Sequence, residues 1–144
     1  MTTIAQLLNT KGNQIWSVEP KVTIFEALEI MSEKEIGALL VMEDGKLTGI
    51  FSERDYARKV ILKGKSSKET PVGELMTKKV FYMDPQKTIN DCMAMMTAKR
   101  IRHVPVIEDN QVMGIVTIGD VVNQIISEQE VTINHLENYI TGSH

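Results

Sequence analysis

At 144 residues and 16.2 kDa the chain has room for one ordinary domain, or for two small halves sharing a core. Hydrophobic residues at 42% and charged residues at 24% are a globular composition, and a net charge of -3 gives no electrostatic footprint for nucleic acid. No apolar run reaches membrane-spanning length, and the single cysteine, Cys92, excludes an internal disulfide and a cysteine-rich zinc site.

The start of the chain lacks a charged-then-apolar signal pattern, which predicts a cytoplasmic protein. His103, His135 and His144 have no metal-ligand spacing, so no metal is expected. The closing Gly142-Ser143-His144 reads as an expression scar.

In chain order, residues 4–8 predict a short lead-in helix, followed by about three extra residues near Lys11-Gly12-Asn13 and a first strand at 15–18. Thr23-x-x-Glu26 has the form of a helix N-terminal capping box. Behind it Ile24, Ala27, Leu28 and Met31 fall on one helical face. Apolar runs at 38–42 and 47–51 flank Glu43-Asp44-Gly45 and predict a hairpin of strands buried on both faces. A helix is expected over 54–62. The polar stretch 63–70 reads as a linker.

From residue 71 the order repeats. Residues 71–76 echo the lead-in helix, 80–83 the first strand, and Thr88-x-x-Asp91 the capping box. Ile89, Cys92, Met93 and Met96 restate the helix face, and 103–107 with 112–116 restate the hairpin. Laid without a gap on residues 85–120, residues 20–55 give twelve identities in thirty-six pairs. Chance would give roughly two for average composition. A helix over 120–127 completes the second copy. Residues 128–140 then predict an added amphipathic helix with Val131, Leu136 and Ile140 inward, lying across the two copies or at a subunit contact. Cys92 and most of the nine methionines fall on core positions, where packing explains them.

Each copy closes on the same pattern. Gly49-Ile50-Phe51-Ser52-Glu53-Arg54-Asp55 is matched by Gly114-Ile115-Val116-Thr117-Ile118-Gly119-Asp120. A strand that ends in Ser or Thr and opens a helix leaves backbone N–H groups suited to an anion. The aspartate one turn later can accept two hydrogen bonds from a ribose diol. The plainer alternative is that Ser52 and Thr117 only cap helices, with Asp55 and Asp120 completing the first turn.

This duplicated strand–helix–strand–strand–helix unit, with Pro-x-x-Thr-Ile near its start and Gly-x-x-Ser/Thr-x-x-Asp at its end, resembles the CBS domain, which works in tandem pairs. The resemblance covers residues 4 to 127, and the stretch 51–60 is similar to stand-alone bacterial and organellar CBS pairs. It implies an α/β (α+β) fold of two pseudo-symmetric repeats, each β-α-β-β-α, packed through their sheets. The boundaries expected are 1–65 for the first repeat with its lead-in helix, 66–127 for the second, and 128–144 for the extra helix and tail.

What the resemblance implies about function is a non-enzymatic regulatory module. It would bind adenosine-containing ligands (AMP, ATP or NAD(H)) in clefts between the repeats and signal by conformational change. The motif Asp would hold ribose and the motif Ser or Thr would reach phosphate. Asp120 and Thr117 would mark one cleft, with Lys11, Trp16 and Ser17 in its adenine wall. Asp55 and Ser52 would mark the other, with Val80 and Phe81 opposite. Trp16 and Phe81 are candidates to stack on a base, or to pack in the core. Arg102 and His103 stand where the first copy has Gly37 and Ala38, which makes the Asp120 cleft the better equipped for phosphate. Arg54, where the second copy has Gly119, would bring charge to the Asp55 cleft. The resemblance further implies a homodimer. The alternative is a protein-interaction module that regulates a redox or metabolic enzyme with nucleotide as modulator. No Gly-x-Gly-x-x-Gly, Walker spacing, Ser/His/Asp arrangement or paired carboxylates support an enzyme.

Overall fold

The computed structural model describes residues 1–142. The tail residues Ser143 and His144 lie outside them.

The first copy runs β1 (Ser17–Val18), α2 (Ile24–Lys34), β2 (Ala38–Glu43) and β3 (Lys46–Ser52), preceded by the lead-in helix α1 (Ile4–Lys11). It ends in a helical turn, α3 (Glu53–Asp55), that continues as a π-helix over Tyr56–Ile61. The second copy runs α4 (Val72–Leu75), α5 (Ile89–Lys99), β4 (His103–Glu108), β5 (Gln111–Thr117) and α6 (Ile118–Thr141).

Local rules set the ends of these elements. Thr23 and Thr88 cap α2 and α5 by accepting the backbone N–H of Glu26 and Asp91, and the box closes fully at Thr88. Both hairpins turn through positive φ, at Asp44 (52°) and Gly45 (76°) and at Asp109 (51°) and Asn110 (62°). That geometry suits the right-handed twist of the flanking strands. Strand β1 runs parallel to β2, which pairs antiparallel with β3 in the order β1-β2-β3.

The chain divides into two compact units that do not follow sequence order. One comprises residues 14–81 with 109–112; the other takes residues 1–13, 82–108 and the chain from 113 onward. The lead-in helix α1 therefore packs with the second copy. Its Ile4 and Ala5 N–H groups donate to the Lys87 and Pro85 carbonyls. Ile4, Leu7 and Leu8 join Ile89, Cys92 and Met96 of α5 with Val104, Val106 and Val116 of the strands. In the other unit Ile24, Ala27 and Met31 pack on Leu39, Val41, Phe51 and Val60. Each such buried Leu, Ile or Phe contributes about 1.5–3 kcal/mol.

Two expectations change. Residues 80–83 form no strand: Met83 alone bridges Val106, so the second copy's sheet has two strands. The two helices expected over 120–127 and 128–140 are one continuous helix, because no glycine or proline interrupts residues 120–141. Val131, Leu136 and Ile140 are all more than half exposed in the single chain, which leaves the subunit contact as the expectation open to them. Among the described residues no helix is long and apolar enough to cross a membrane.

Candidate functional site

The two closing motifs share one local geometry. Ser52 and Thr117 are helix N-caps in extended conformation, and each accepts the backbone N–H of the aspartate three residues on. In return Asp55 Oδ2 accepts the Ser52 N–H at 2.9 Å, and Asp120 Oδ2 accepts the Thr117 N–H at 2.9 Å. The plain capping role is thus realised in both copies. What differs is everything that reaches the carboxylates from further along the chain.

Asp55 is saturated. Its Oδ2 also accepts the Ser52 hydroxyl at 3.1 Å, and its Oδ1 accepts the Thr77 hydroxyl at 3.0 Å. The Lys59 ammonium lies 3.2 Å from the same Oδ1 and donates to the Leu75 carbonyl as well. Two partners on each oxygen use the capacity of a carboxylate. The residue is 7% exposed, which is tolerable for a charge because it is paired and fully hydrogen-bonded. Thr77 is delivered there by backbone: its N–H and C=O exchange hydrogen bonds with Ile50 at 2.8 and 3.0 Å. The π-helical turn that follows Asp55 carries Lys59 beneath it.

Asp120 is held differently. Its Oδ2 takes the Lys11 ammonium at 2.5 Å, and its side chain is 23% exposed against 10% for Asp55. Lys11 also donates to the Ile115 carbonyl at 2.7 Å. Ile115 corresponds to Ile50, so a lysine side chain fills the place that a backbone N–H fills in the first copy. The position matching Lys59 is Gln124, which donates to the Thr2 hydroxyl instead.

The sequence-derived candidates separate accordingly. Lys11, Thr117 and Asp120 are brought together in one unit. Arg102 joins them through its backbone, since its carbonyl accepts the Ile118 N–H at 2.9 Å. Its side chain is exposed, and His103 beside it is half-buried at the head of β4. Ser52, Arg54 and Asp55 share the other unit with Val80 and Phe81, both partly buried. Trp16 and Ser17 belong to that unit too, whereas Lys11 does not. Trp16 does not pack in the core: it is 36% exposed, and the Lys34 ammonium lies 4.4 Å from its ring centroid. Thr77 and Lys59 were missed by sequence reasoning. The i, i+4 spacing of Asp55 and Lys59 on the predicted helix was the one available signal.

A cavity of about 350 Å³ opens within the unit that holds Asp120, lined by Asn9, Asn13, Gln86, Glu108 and Met113 among others. Among the described residues no group of three or more His, Cys, Asp or Glu side chains could hold a metal ion.

The model of the family described as "CBS domain" matches residues 7–62 and again 72–127. A mitochondrial CBS domain-containing protein of Arabidopsis thaliana, CBSX3, is 38% identical over 99% of this chain and 74% of its own length. A CBS-domain protein of Burkholderia ambifaria has a similar crystal structure, with TM-score 0.85 and 44% identity over 89% of this chain and 96% of that one. The CBS domain pair of protein MJ0100, solved in complex with 5′-methylthioadenosine and S-adenosyl-L-methionine, superposes with TM-score 0.77 at 25% identity, over 89% of this chain and 98% of that one.

Proposed function

The chain belongs to the CBS-domain family, and from that membership we propose that it is a non-enzymatic, cytoplasmic regulatory module, homodimeric, that binds an adenosine-containing nucleotide of the AMP, ATP or NAD(H) class at the Thr117–Asp120 motif. The observation that carries this reading is the partly exposed Asp120 carboxylate, held on Oδ2 by Lys11 and Thr117, set against a nearly buried Asp55 whose two oxygens are already occupied. A ribose diol needs a carboxylate it can reach and donate to, and of the two acids Asp120 is the more exposed. Lys11 supplies positive charge at the motif and Arg102 would add to it, which favours a phosphorylated ligand. The adenosine compounds bound by the CBS pair of protein MJ0100 are of the same chemical class. Asp55, Ser52 and Arg54 then act as a folded anchor, and occupancy at that motif requires the ligand to displace Thr77 or Lys59.

Signalling follows from population shift: ligand must bind one conformation better than another, and affinity alone sends no signal. Titration calorimetry of AMP and of NADH against the intact chain and Asp120→Ala tests the site. The expected result is binding that Asp120→Ala weakens at least tenfold. Equal affinity in both proteins would remove Asp120 from the site. Turnover of ATP or NADH on incubation would remove the non-enzymatic reading.

A further inference from the structure

Helix α6 carries two apolar stripes, and the fold uses only one. Val121 is buried and Ile118 and Ile125 pack on the core from the same side. The second stripe consists of Val122, Ile126, Ile133, Leu136 and Ile140, which are between 38% and 81% exposed. With Gln129 in the one vacant place, the spacing along this stripe alternates four, three, four, three, four. That is a 3.5-residue period, the seam of a coiled coil rather than the broader face of a helix lying on a globular core.

We propose that this stripe is the seam of a parallel, two-stranded coiled coil with α6 of a second copy of the chain. The residue types specify the number of strands. Ile126, Ile133 and Ile140 occupy the a positions and Leu136 and Val122 two of the d positions, and β-branched a residues with Leu at d favour two strands. Gln129 is the single polar seam residue, which fixes register at a cost in stability.

Charge specifies the direction. Glu130 and Glu137 flank one side of the seam, Ile125, Thr132 and Tyr139 the other, and α6 contains no Lys or Arg. In a parallel pair Glu137 faces Thr132 of the second copy and no two acids meet. In an antiparallel pair the glutamate flank meets itself, and like charges at that spacing repel. Residues 122–140 span about 28 Å of helix, and most of the stability of such a helix comes from packing its apolar face. Here the helix is already nucleated by its Thr117 capping box and its packed first turns, so the seam has only to propagate it.

The proposal rests on the homodimer of the preceding reading and is independent of its ligand. Sedimentation velocity of the full chain is expected to show a dimer, and Ile133→Glu combined with Leu136→Glu a monomer with unchanged folded signal by circular dichroism. Ile126→Cys and Ile140→Cys, tested separately, are each expected to cross-link two copies under mild oxidation, because parallel in-register helices place like positions side by side. A monomeric wild-type chain would overturn both the seam and the homodimer. A dimer that survives the double substitution, or in which either introduced thiol fails to cross-link, would overturn the seam and leave the homodimer standing.

Discussion

Lys11 and Asp120, 109 positions apart in sequence, form an ion pair of 2.5 Å, and the same ammonium donates to the Ile115 carbonyl. In the first copy the corresponding carbonyl, Ile50, is held by the Thr77 N–H, and the corresponding acid by Thr77 and Lys59 together. One motif is closed by backbone and the other by a single flexible side chain. The difference in hydrogen bonding between the two motifs follows from that substitution of a side chain for a peptide.

Removing the two acids should therefore have unequal effects on folding. Asp55→Ala strips partners from Lys59, Thr77 and the Ser52 N–H at a nearly buried point, and should cost about 2–4 kcal/mol. Asp120→Ala loses a helix cap and a partly exposed ion pair, and should cost about 1 kcal/mol. Urea unfolding of both variants checks this. Equal losses would show that the extra contacts at Asp55 are not felt.

Gly49 and Gly114 begin the two motifs, and both are forced by close approach rather than by backbone angle. A Cβ on Gly49 would lie 2.9 Å from the Thr77 carbonyl oxygen, and it would collide with the Met76 side chain. On Gly114 it would meet Leu8 Cδ2 at 2.9 Å, the tip of a flexible side chain. Gly49→Ala should cost about 1–3 kcal/mol and Gly114→Ala less, since backbone yields less readily than a leucine tip. Thermal melts of the two variants give the order directly, and a larger loss at Gly114 would contradict it.

Burial raises the Cys92 thiol from its ordinary 9.0 to about 11. The folded chain therefore keeps its thiol proton where the unfolded chain has lost it. Between those two values the native state binds the extra proton, so stability should fall as pH rises from about 9. Iodoacetamide should leave Cys92 unmodified at pH 8 in the native protein and alkylate it in urea. Rapid labelling of the folded chain would place the thiol outside the core.

At the acid end, the Thr88 cap holds Asp91 below its ordinary 3.8, through the Thr88 N–H first and its hydroxyl second. A depressed carboxylate stabilises above its unfolded value and loses that contribution as pH falls through the folded one. NMR titration should find Asp91 ionising below 3.8, and Thr88→Ala should move it back upward by removing the hydroxyl. An unmoved Asp91 in that variant would assign the whole effect to the backbone.

The repeat, the helices α2 and α5, both hairpins and the caps at Thr23, Thr88, Ser52 and Thr117 could all be read from sequence. Each depends on residues within a few positions of one another, so spacing alone expresses the interaction. The pairing of Asp with its own cap residue three places back is the clearest instance. Beyond that range the chain gives no such signal. That α1 packs with the second copy, that Thr77 reaches Asp55 and Lys11 reaches Asp120, and that Met83 makes one bridge instead of a strand are matters of which distant groups meet.

The same division explains the C-terminal helix. Its amphipathic pattern is plain in the sequence, yet Val131, Leu136 and Ile140 find no inner face within the single chain. Periodicity fixes which residues share a face, because the helix geometry is local. Which way the face turns depends on what stands beside it, and only the packed structure supplies that neighbour.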